Sequence, residues 1–224
     1  MIPWEEIDRA KIPGQKGEVI LLKRDSEFSI RTAGTELMNS RVHGSEDALA
    51  ELTCRRIKQK SGLRILIGGL GMGFTLAATL EQSKPDTHII VSELIPAVVK
   101  WNREHLGHLA RMPLNDSRVS VKEKDVAKII KTKKSAWDAI ILDVDNGPEG
   151  LTRKANDRLY TRSGLKTSFF ALCPGGILAV WSSKTDEAFT RRLTQCGFTT
   201  EAITVRARKS GKGSHHTIWL AKKP

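Results

Sequence analysis

Four glycines stand directly behind a short apolar run in the stretch ILIGGLGMGF, residues 65–74. Glycine has no side chain to hold a ligand away from the backbone, so this stretch predicts a loop that presses against a bound molecule. The spacing G-x-G-x-G differs from the G-x-G-x-x-G of dinucleotide sites, which favours an adenosyl sulfonium over NAD. A plain tight turn is the alternative explanation. The four candidate ligand-contacting glycines are Gly68, Gly69, Gly71 and Gly73.

Two acidic residues follow the next apolar runs along the chain. Glu93 ends THIIVSE, 20 residues beyond Gly73, at a spacing typical of a carboxylate that accepts hydrogen bonds from ribose hydroxyls. Asp125 follows SVKEK, where a carboxylate can accept from the exocyclic amine of adenine. Either residue alone is more often a helix cap. Together with the glycines they predict a site for one adenosine.

A further pair of carboxylates lies in the stretch DVDNGP. Asp143 follows the apolar run of AWDAIIL, and Asp145 comes two residues later. An alkylamine has a pKa near the ~10.4 of lysine and is almost wholly protonated at neutral pH, so it becomes a nucleophile only after losing a proton. A carboxylate at a strand end can orient such an amine and accept its proton. Asp143 is the first candidate for this role and Asp145 the second, although Asp145 also suits a turn.

Two other side chains are candidates for contact with a substrate. His43 lies in a predicted loop just before a helix, and Tyr160 is the chain's only tyrosine. An exposed loop histidine and a packed tyrosine are the alternative explanations. His105 and His108 are three residues apart on a predicted helix, but no carboxylate or cysteine completes a metal set, so we expect no metal.

The elements that must position these residues follow from the pattern of apolar runs. Beyond Arg64, strand-like runs alternate with helical patterns, which predicts a parallel sheet flanked by helices. Near the end, FTTEAITVRAR and SHHTIWLAKK flank the turn-rich KSGKGS and predict an antiparallel hairpin at the sheet edge. Residues 17–38 predict two or three short antiparallel strands. We therefore expect an α/β fold with a small N-terminal β appendage over residues 1–44 and a main domain over 45–224.

Composition limits the classes of function. The 224 residues carry a net charge of +12, explained either by a solvated basic surface, which we favour, or by a polyanionic partner such as nucleic acid. The three cysteines form no C-x-x-C pair, and no signal peptide or membrane span is visible, so we expect a cytoplasmic protein without a membrane partner. A homodimer is the simplest assembly on symmetry grounds.

The glycine cluster, VSELIPAVVKWNREHLG, KEKD and LDVDNGPEGL together resemble the spermidine synthase-like branch of the class I S-adenosylmethionine-dependent transferases. The resemblance covers roughly residues 17–205 and implies a Rossmann-like, class I methyltransferase-type fold. It implies cofactor roles for Gly69, Gly71, Glu93 and Asp125, and the position of a catalytic aspartate for Asp143. The implied cofactor is S-adenosylmethionine or its decarboxylated form.

The chain also departs from that family's pattern. Gly71 stands where aminopropyltransferases usually carry an aspartate for the aminopropyl nitrogen, and their gate tyrosine is missing. Three functions therefore stay open. The first is transfer of an aminopropyl or methyl group to a small-molecule amine; the second is methyl transfer to nucleic acid, which we do not favour; the third is a non-catalytic adenosine-binding module.

Overall fold

The computed structural model describes residues 2–57, 60–144, 157–208 and 213–224. Two sheets are present in these residues, one of four strands and one of seven. Within the same ranges, no helix is long and apolar enough to cross a membrane.

The N-terminal sheet is an antiparallel meander whose strands pair in chain order. The sequence predicted two or three strands over residues 17–38 and missed the first one, because EEIDRAK is mostly polar and has no apolar alternation. The third and fourth strands pair with a one-residue irregularity between Ile30 and Arg31. The strands are β1 Glu5–Lys11, β2 Glu18–Arg24, β3 Glu27–Thr32 and β4 Thr35–Asn39.

The larger sheet has the spatial order β10-β11-β9-β8-β5-β6-β7. Its strands are β5 Arg64–Gly68, β6 His88–Glu93, β7 Val119–Glu123, β8 Trp137–Leu142, β9 Leu172–Ser182, β10 Thr199–Arg206 and β11 His215–Lys222. The first five of these pair in parallel, whereas β11 runs antiparallel to both β9 and β10. The predicted mostly parallel sheet with a C-terminal antiparallel hairpin is therefore confirmed.

Seven α-helices connect the described strands: α1 Gly44–Arg56, α2 Phe74–Glu81, α3 Pro96–Trp101, α4 Val126–Lys131, α5 Asp157–Tyr160, α6 Arg162–Ala171 and α7 Glu187–Gln195. The stretch PAVVKWNREHLGHLA, residues 96–110, is typical of one unbroken helix with proline in its first turn. Instead, α3 passes into a wider π-type turn over Asn102–Leu106 and a 3₁₀ turn over Gly107–Ala110. A Cβ at Gly107 would lie 2.5 Å from the Asn102 carbonyl oxygen, so this wide turn requires glycine.

The core consists of two apolar clusters on opposite faces of the larger sheet. In β5, Ile65 and Ile67 belong to one cluster and Leu66 to the other, as the alternation of side chains along a strand requires. The first cluster also contains Leu21 and Phe28 of the N-terminal sheet. The two sheets therefore share one apolar core, and the division into domains at residue 44 stays a prediction.

Candidate active site

A cavity of about 430 Å³ lies between the two sheets at the carboxyl ends of the central parallel strands. The chain leaves β5 for β6 on one side and later returns to β8 on the other, so the strand order reverses next to β5. Open α/β sheets bind ligands at such a switch point. The cavity is lined by Gly69, Glu93 and Asp143, which follow or end these three strands.

The loop of residues 69–73, called the glycine loop below, contributes to the lining of this cavity. Gly69, Gly71 and Gly73 have φ values of +91°, +53° and +86°, in the left-handed region that favours glycine. A Cβ at Gly69 would collide with the Asp143 carbonyl oxygen. Gly69 and Gly71 line the cavity, whereas Gly68 ends β5 and Gly73 caps α2 outside the lining.

Glu93 ties the glycine loop to the start of α3. Its Oε2 accepts from the Leu70 N–H at 2.9 Å and its Oε1 from the Ile95 N–H at 2.8 Å. The residue is buried, yet each carboxylate oxygen can accept a second hydrogen bond. Glu93 can therefore hold two ribose hydroxyls while keeping its backbone contacts.

Asp125 lines the cavity together with Gly69 and Gly71. It is also the N-cap of α4, since its Oδ1 accepts from the Ala127 N–H at 2.8 Å. The helix-capping alternative is thus observed. The predicted contact with adenine is compatible with it, because the carboxylate has further acceptor sites.

Asp143 follows β8 and is held from two sides. Its backbone N–H donates to the Gly68 carbonyl at 2.9 Å, and its Oδ2 accepts from Thr75 Oγ1 at 2.6 Å. Burial raises the pKa of its carboxyl, and the bond from Thr75 partly offsets this. Asp145, the second candidate base, lies outside the described residues.

Glu46 is a further carboxyl of this cavity, which the sequence did not single out. It lies in the first turn of α1, where Ser45 Oγ donates to its Oε2 at 2.6 Å. Burial first, and then the nearby Asp143 carboxylate, raise the pKa of Glu46 to about 7. Two carboxyls thus share one enclosed space, and ionising either one disfavours ionising the other.

A hydrogen-bond chain leads from Glu46 to the larger sheet. The Nδ1 of His216 lies 2.9 Å from Ser45 Oγ, and burial lowers the pKa of this histidine. The imidazole packs edge-on against Trp181 at 4.8 Å between ring centroids, and Trp181 lines the cavity. The C-terminal hairpin therefore supports the wall that contains Glu46.

Comparison with known proteins gives the family. The model of the spermine/spermidine synthase domain matches residues 55–192, more than half of the chain. The chain belongs to the spermine/spermidine synthase family. A comparison with curated protein sequences returned no match.

Solved structures of spermidine synthases show the same fold as this family member. The spermidine synthase from Thermotoga maritima matches with a TM-score of 0.76 at 17% identity, over 98% of this chain and 73% of that one. A spermidine synthase in complex with the transition state analogue AdoDATO gives a TM-score of 0.75, also at 17% identity, over 98% and 72%. A probable spermidine synthase from Corynebacterium glutamicum gives 0.67 at 15% identity, over 96% and 79%.

The two predicted substrate contacts of this spermine/spermidine synthase family member lie away from the cavity wall. His43 bonds Asp47 Oδ2 through Nδ1 at 2.8 Å and stacks on Phe74 at 4.0 Å between ring centroids. Tyr160 is buried in the second apolar cluster, edge-on to Phe189. His43 contacts Phe74, which lines the cavity, and its positive charge favours the ionised form of the cavity carboxyl Glu46.

The charges around the cavity favour a positively charged ligand. Among the described lining residues four are acidic and two are basic, although the whole protein carries a net charge of +12. The cavity volume of about 430 Å³ lies within the range of roughly 300 to 1,000 Å³ that is usual for small-molecule sites. Among the described residues, no cluster of three His, Cys, Asp or Glu side chains is arranged for a metal. The charged lining residues are Glu46, Glu93, Asp125, Asp143, Lys16 and Lys124.

Proposed function

We propose that this family member transfers an aminopropyl or methyl group from an adenosyl sulfonium to an amine. The observation that carries the proposal is the pair of enclosed carboxyls, Glu46 and Asp143, beside the glycine loop. A pair of this kind suits an ammonium group that must be held and then deprotonated.

The donor occupies the glycine side of the cavity. Gly69 and Gly71 allow its close approach, Glu93 accepts from the ribose hydroxyls, and Asp125 accepts from the adenine amine. Bound there, the donor supplies an electrophilic carbon on a positive sulfur and a neutral thioether as leaving group. The chain's task is to align the acceptor nitrogen with that carbon and to exclude water.

The acceptor nitrogen lies between Asp143 and Glu46. An ammonium group placed there favours the ionised form of both carboxyls and so lowers their pKa values. One carboxylate then takes the proton from the nitrogen. The lone pair that this releases forms the new C–N bond as the C–S bond breaks, and the positive charge passes from sulfur to nitrogen. The product amine then loses a second proton to the same pair of carboxylates.

Two observations bear on which sulfonium is the donor. Membership of the spermine/spermidine synthase family favours decarboxylated S-adenosylmethionine and aminopropyl transfer. Gly71 favours S-adenosylmethionine, since no carboxylate stands there to hold an aminopropyl nitrogen or to repel the methionine carboxylate. Met38 Sδ lies 2.7 Å from the point that a Cβ at Gly71 would occupy, so an aspartate here would require the flexible Met38 side chain to shift. The φ of +53° at Gly71 also favours glycine.

The acidic lining disfavours nucleic acid as the acceptor, because phosphates are repelled by the carboxylates that surround the donor. Lys209 and Lys212 of the basic hairpin turn lie outside the described residues. A non-catalytic adenosine-binding module does not require buried carboxyls where the acceptor would lie. The small-molecule transferase is thus the function that the geometry supports best.

Calorimetry with both sulfonium donors, followed by transfer assays with linear amines, tests the proposal. Glu93→Ala should weaken donor binding by about 1 to 3 kcal/mol, because it leaves the ribose hydroxyls unpaired. Asp143→Asn should keep donor binding but lose turnover by ~10²-fold or more, as expected for loss of a general base. Full turnover in Asp143→Asn, or unchanged donor affinity in Glu93→Ala, would refute the assigned roles.

A further inference from the structure

The fourth strand carries a β-bulge where it meets the cavity. Ile30 pairs with Met38 and Arg31 pairs with Glu36, which leaves Leu37 as an extra residue without a partner on β3. Successive side chains of a regular strand point to opposite faces, so only one of Leu37 and Met38 would face the cavity without the bulge. Both residues line it.

The two bulge residues form an apolar wall on the N-terminal sheet together with Ile12 beyond β1, Val19 on β2 and Ile30 on β3. The same sheet and its connections also contribute the polar residues Gln15, Thr32 and Thr35 to the cavity lining. The described lining residues from this sheet include no carboxylate, and the charged one among them is the cation Lys16. The four acidic lining residues all follow later in the chain, at α1 and at the strand ends of the larger sheet.

Because the acidic lining residues lie away from the N-terminal sheet, the end of an acceptor that faces this sheet is expected to carry no positive charge. One ammonium group finds its partners at Glu46 and Asp143. A second ammonium group pointing to the N-terminal sheet would lose hydration against the apolar wall and would find no carboxylate among the described lining residues of that sheet. An alkyl or aryl tail in the same place gains contact with Leu37, Met38 and Ile30.

We propose that the acceptor is an amine with a single ammonium group and an apolar tail, and that the tail lies against the wall formed by the Leu37 bulge. The assignment of this amine as the acceptor rests on the proposed function, whereas the preference for one charge rests on the wall alone.

Pentylamine and cadaverine test this inference, because they have the same carbon chain and differ by one terminal ammonium group. Each is titrated into the full chain, with and without saturating methylthioadenosine, the neutral thioether that aminopropyl transfer leaves behind. Pentylamine should bind at least about tenfold more tightly, since burying an unpaired ammonium is costly. Equal affinities, tighter binding of cadaverine, or no binding of either amine would overturn the proposal.

A carboxylate introduced into the wall should reverse the preference. Leu37→Glu gives the second ammonium group a partner, so cadaverine should then bind more tightly than pentylamine. Thr199→Glu is the matched control, since it adds the same charge at an exposed position on β10 and should leave the preference unchanged. Met38→Glu replaces Leu37→Glu if a thermal melt shows that the latter is unfolded; an unreversed preference in a folded wall variant contradicts the inference.

The proposed function and the assignment of the apolar wall can be refuted separately. If neither methylthioadenosine nor S-adenosylhomocysteine, the thioether that methyl transfer leaves behind, binds and pentylamine is still preferred, the proposed transferase function is wrong and the assignment of the apolar wall is kept. If methylthioadenosine binds and cadaverine is preferred, the donor site stands and the wall assignment is wrong.

Discussion

The Glu46 and Asp143 carboxyls set the ionisation of the cavity at the scale of single residues. Burial raises the pKa of both, and the Asp143 carboxylate further raises that of Glu46, to about 7. A carboxyl whose pKa is higher in the folded chain than in the unfolded chain keeps its proton longer on folding. Glu46 therefore lowers the free energy of unfolding as the pH rises above 4.5, the ordinary pKa of a glutamate side chain.

We predict that Glu46→Gln removes this loss of stability. Between about pH 4.5 and about pH 7, wild type should become less stable relative to the variant, and above that range the difference should level off. The expected difference is about 3 kcal/mol, since the pKa rises from 4.5 to about 7 and one pKa unit corresponds to about 1.4 kcal/mol. Denaturant unfolding of both proteins across this pH range measures it.

Glu187→Gln is the matched control, because Glu187 also lies in the first turn of a helix but is exposed. Its stability relative to wild type should change little over the same range. A flat difference curve for Glu46→Gln would show that Glu46 ionises as freely as a surface carboxylate.

Sequence alone identifies only some of the residues that line the cavity. Gly69, Glu93 and Asp143 could be predicted to meet, because the carboxyl ends of neighbouring parallel strands lie at one edge of a sheet. Glu46 was indistinguishable from an acidic residue that favours the positive end of a helix. Its pairing with Asp143 depends on where α1 packs, which no local pattern encodes.

At the scale of elements, the glycine loop is held by the irregular segment that follows α3. Asn102 begins the π-type turn, and its Nδ2 donates to the Gly71 carbonyl at 2.7 Å and to the Val98 carbonyl at 2.9 Å. The periodic apolar pattern predicted a continuous helix here. The turn depends on contacts with a loop about thirty residues earlier, so a helical period cannot reveal it.

Asn102→Ala should loosen the glycine loop and weaken donor binding. The partly buried Gly71 carbonyl would lose its side-chain donor, which typically costs about 1 to 3 kcal/mol of stability. Thermal melting and donor calorimetry on the same variant report the two effects. Asn115→Ala changes an exposed asparagine in the same region and should alter neither; donor affinity unchanged in Asn102→Ala would contradict the role given to Asn102.

At the scale of the whole molecule, the order of apolar runs was sufficient to predict the parallel sheet and its antiparallel hairpin. The strand β1 was not predictable in this way, since its side chains are mostly exposed and polar. The sharing of one apolar cluster by both sheets was also hidden, because it depends on which faces meet after folding. Leu21 of β2 and Ile65 of β5 are fully buried members of that cluster.

We predict that the two sheets unfold together. Leu21→Ala leaves a cavity in the shared cluster and should lower the free energy of unfolding by about 2 to 5 kcal/mol. Amide hydrogen exchange in β5 should then accelerate by the corresponding factor, although the substitution lies in the other sheet. Ile2→Ala, at an exposed side chain, is the control. Unchanged exchange in β5 alongside fast exchange in β2 would show two independent folding units.

The bulge in β4 allows the cavity lining to change through the loss of a single codon. Loss of the single codon for Leu37 restores regular pairing between β3 and β4, since Met38 and Glu36 already have their partners on β3. One side chain leaves the wall, while Met38 and the strands of the larger sheet keep their places. Descendants of this gene can therefore exchange one acceptor for another through a codon deletion, with the donor site untouched.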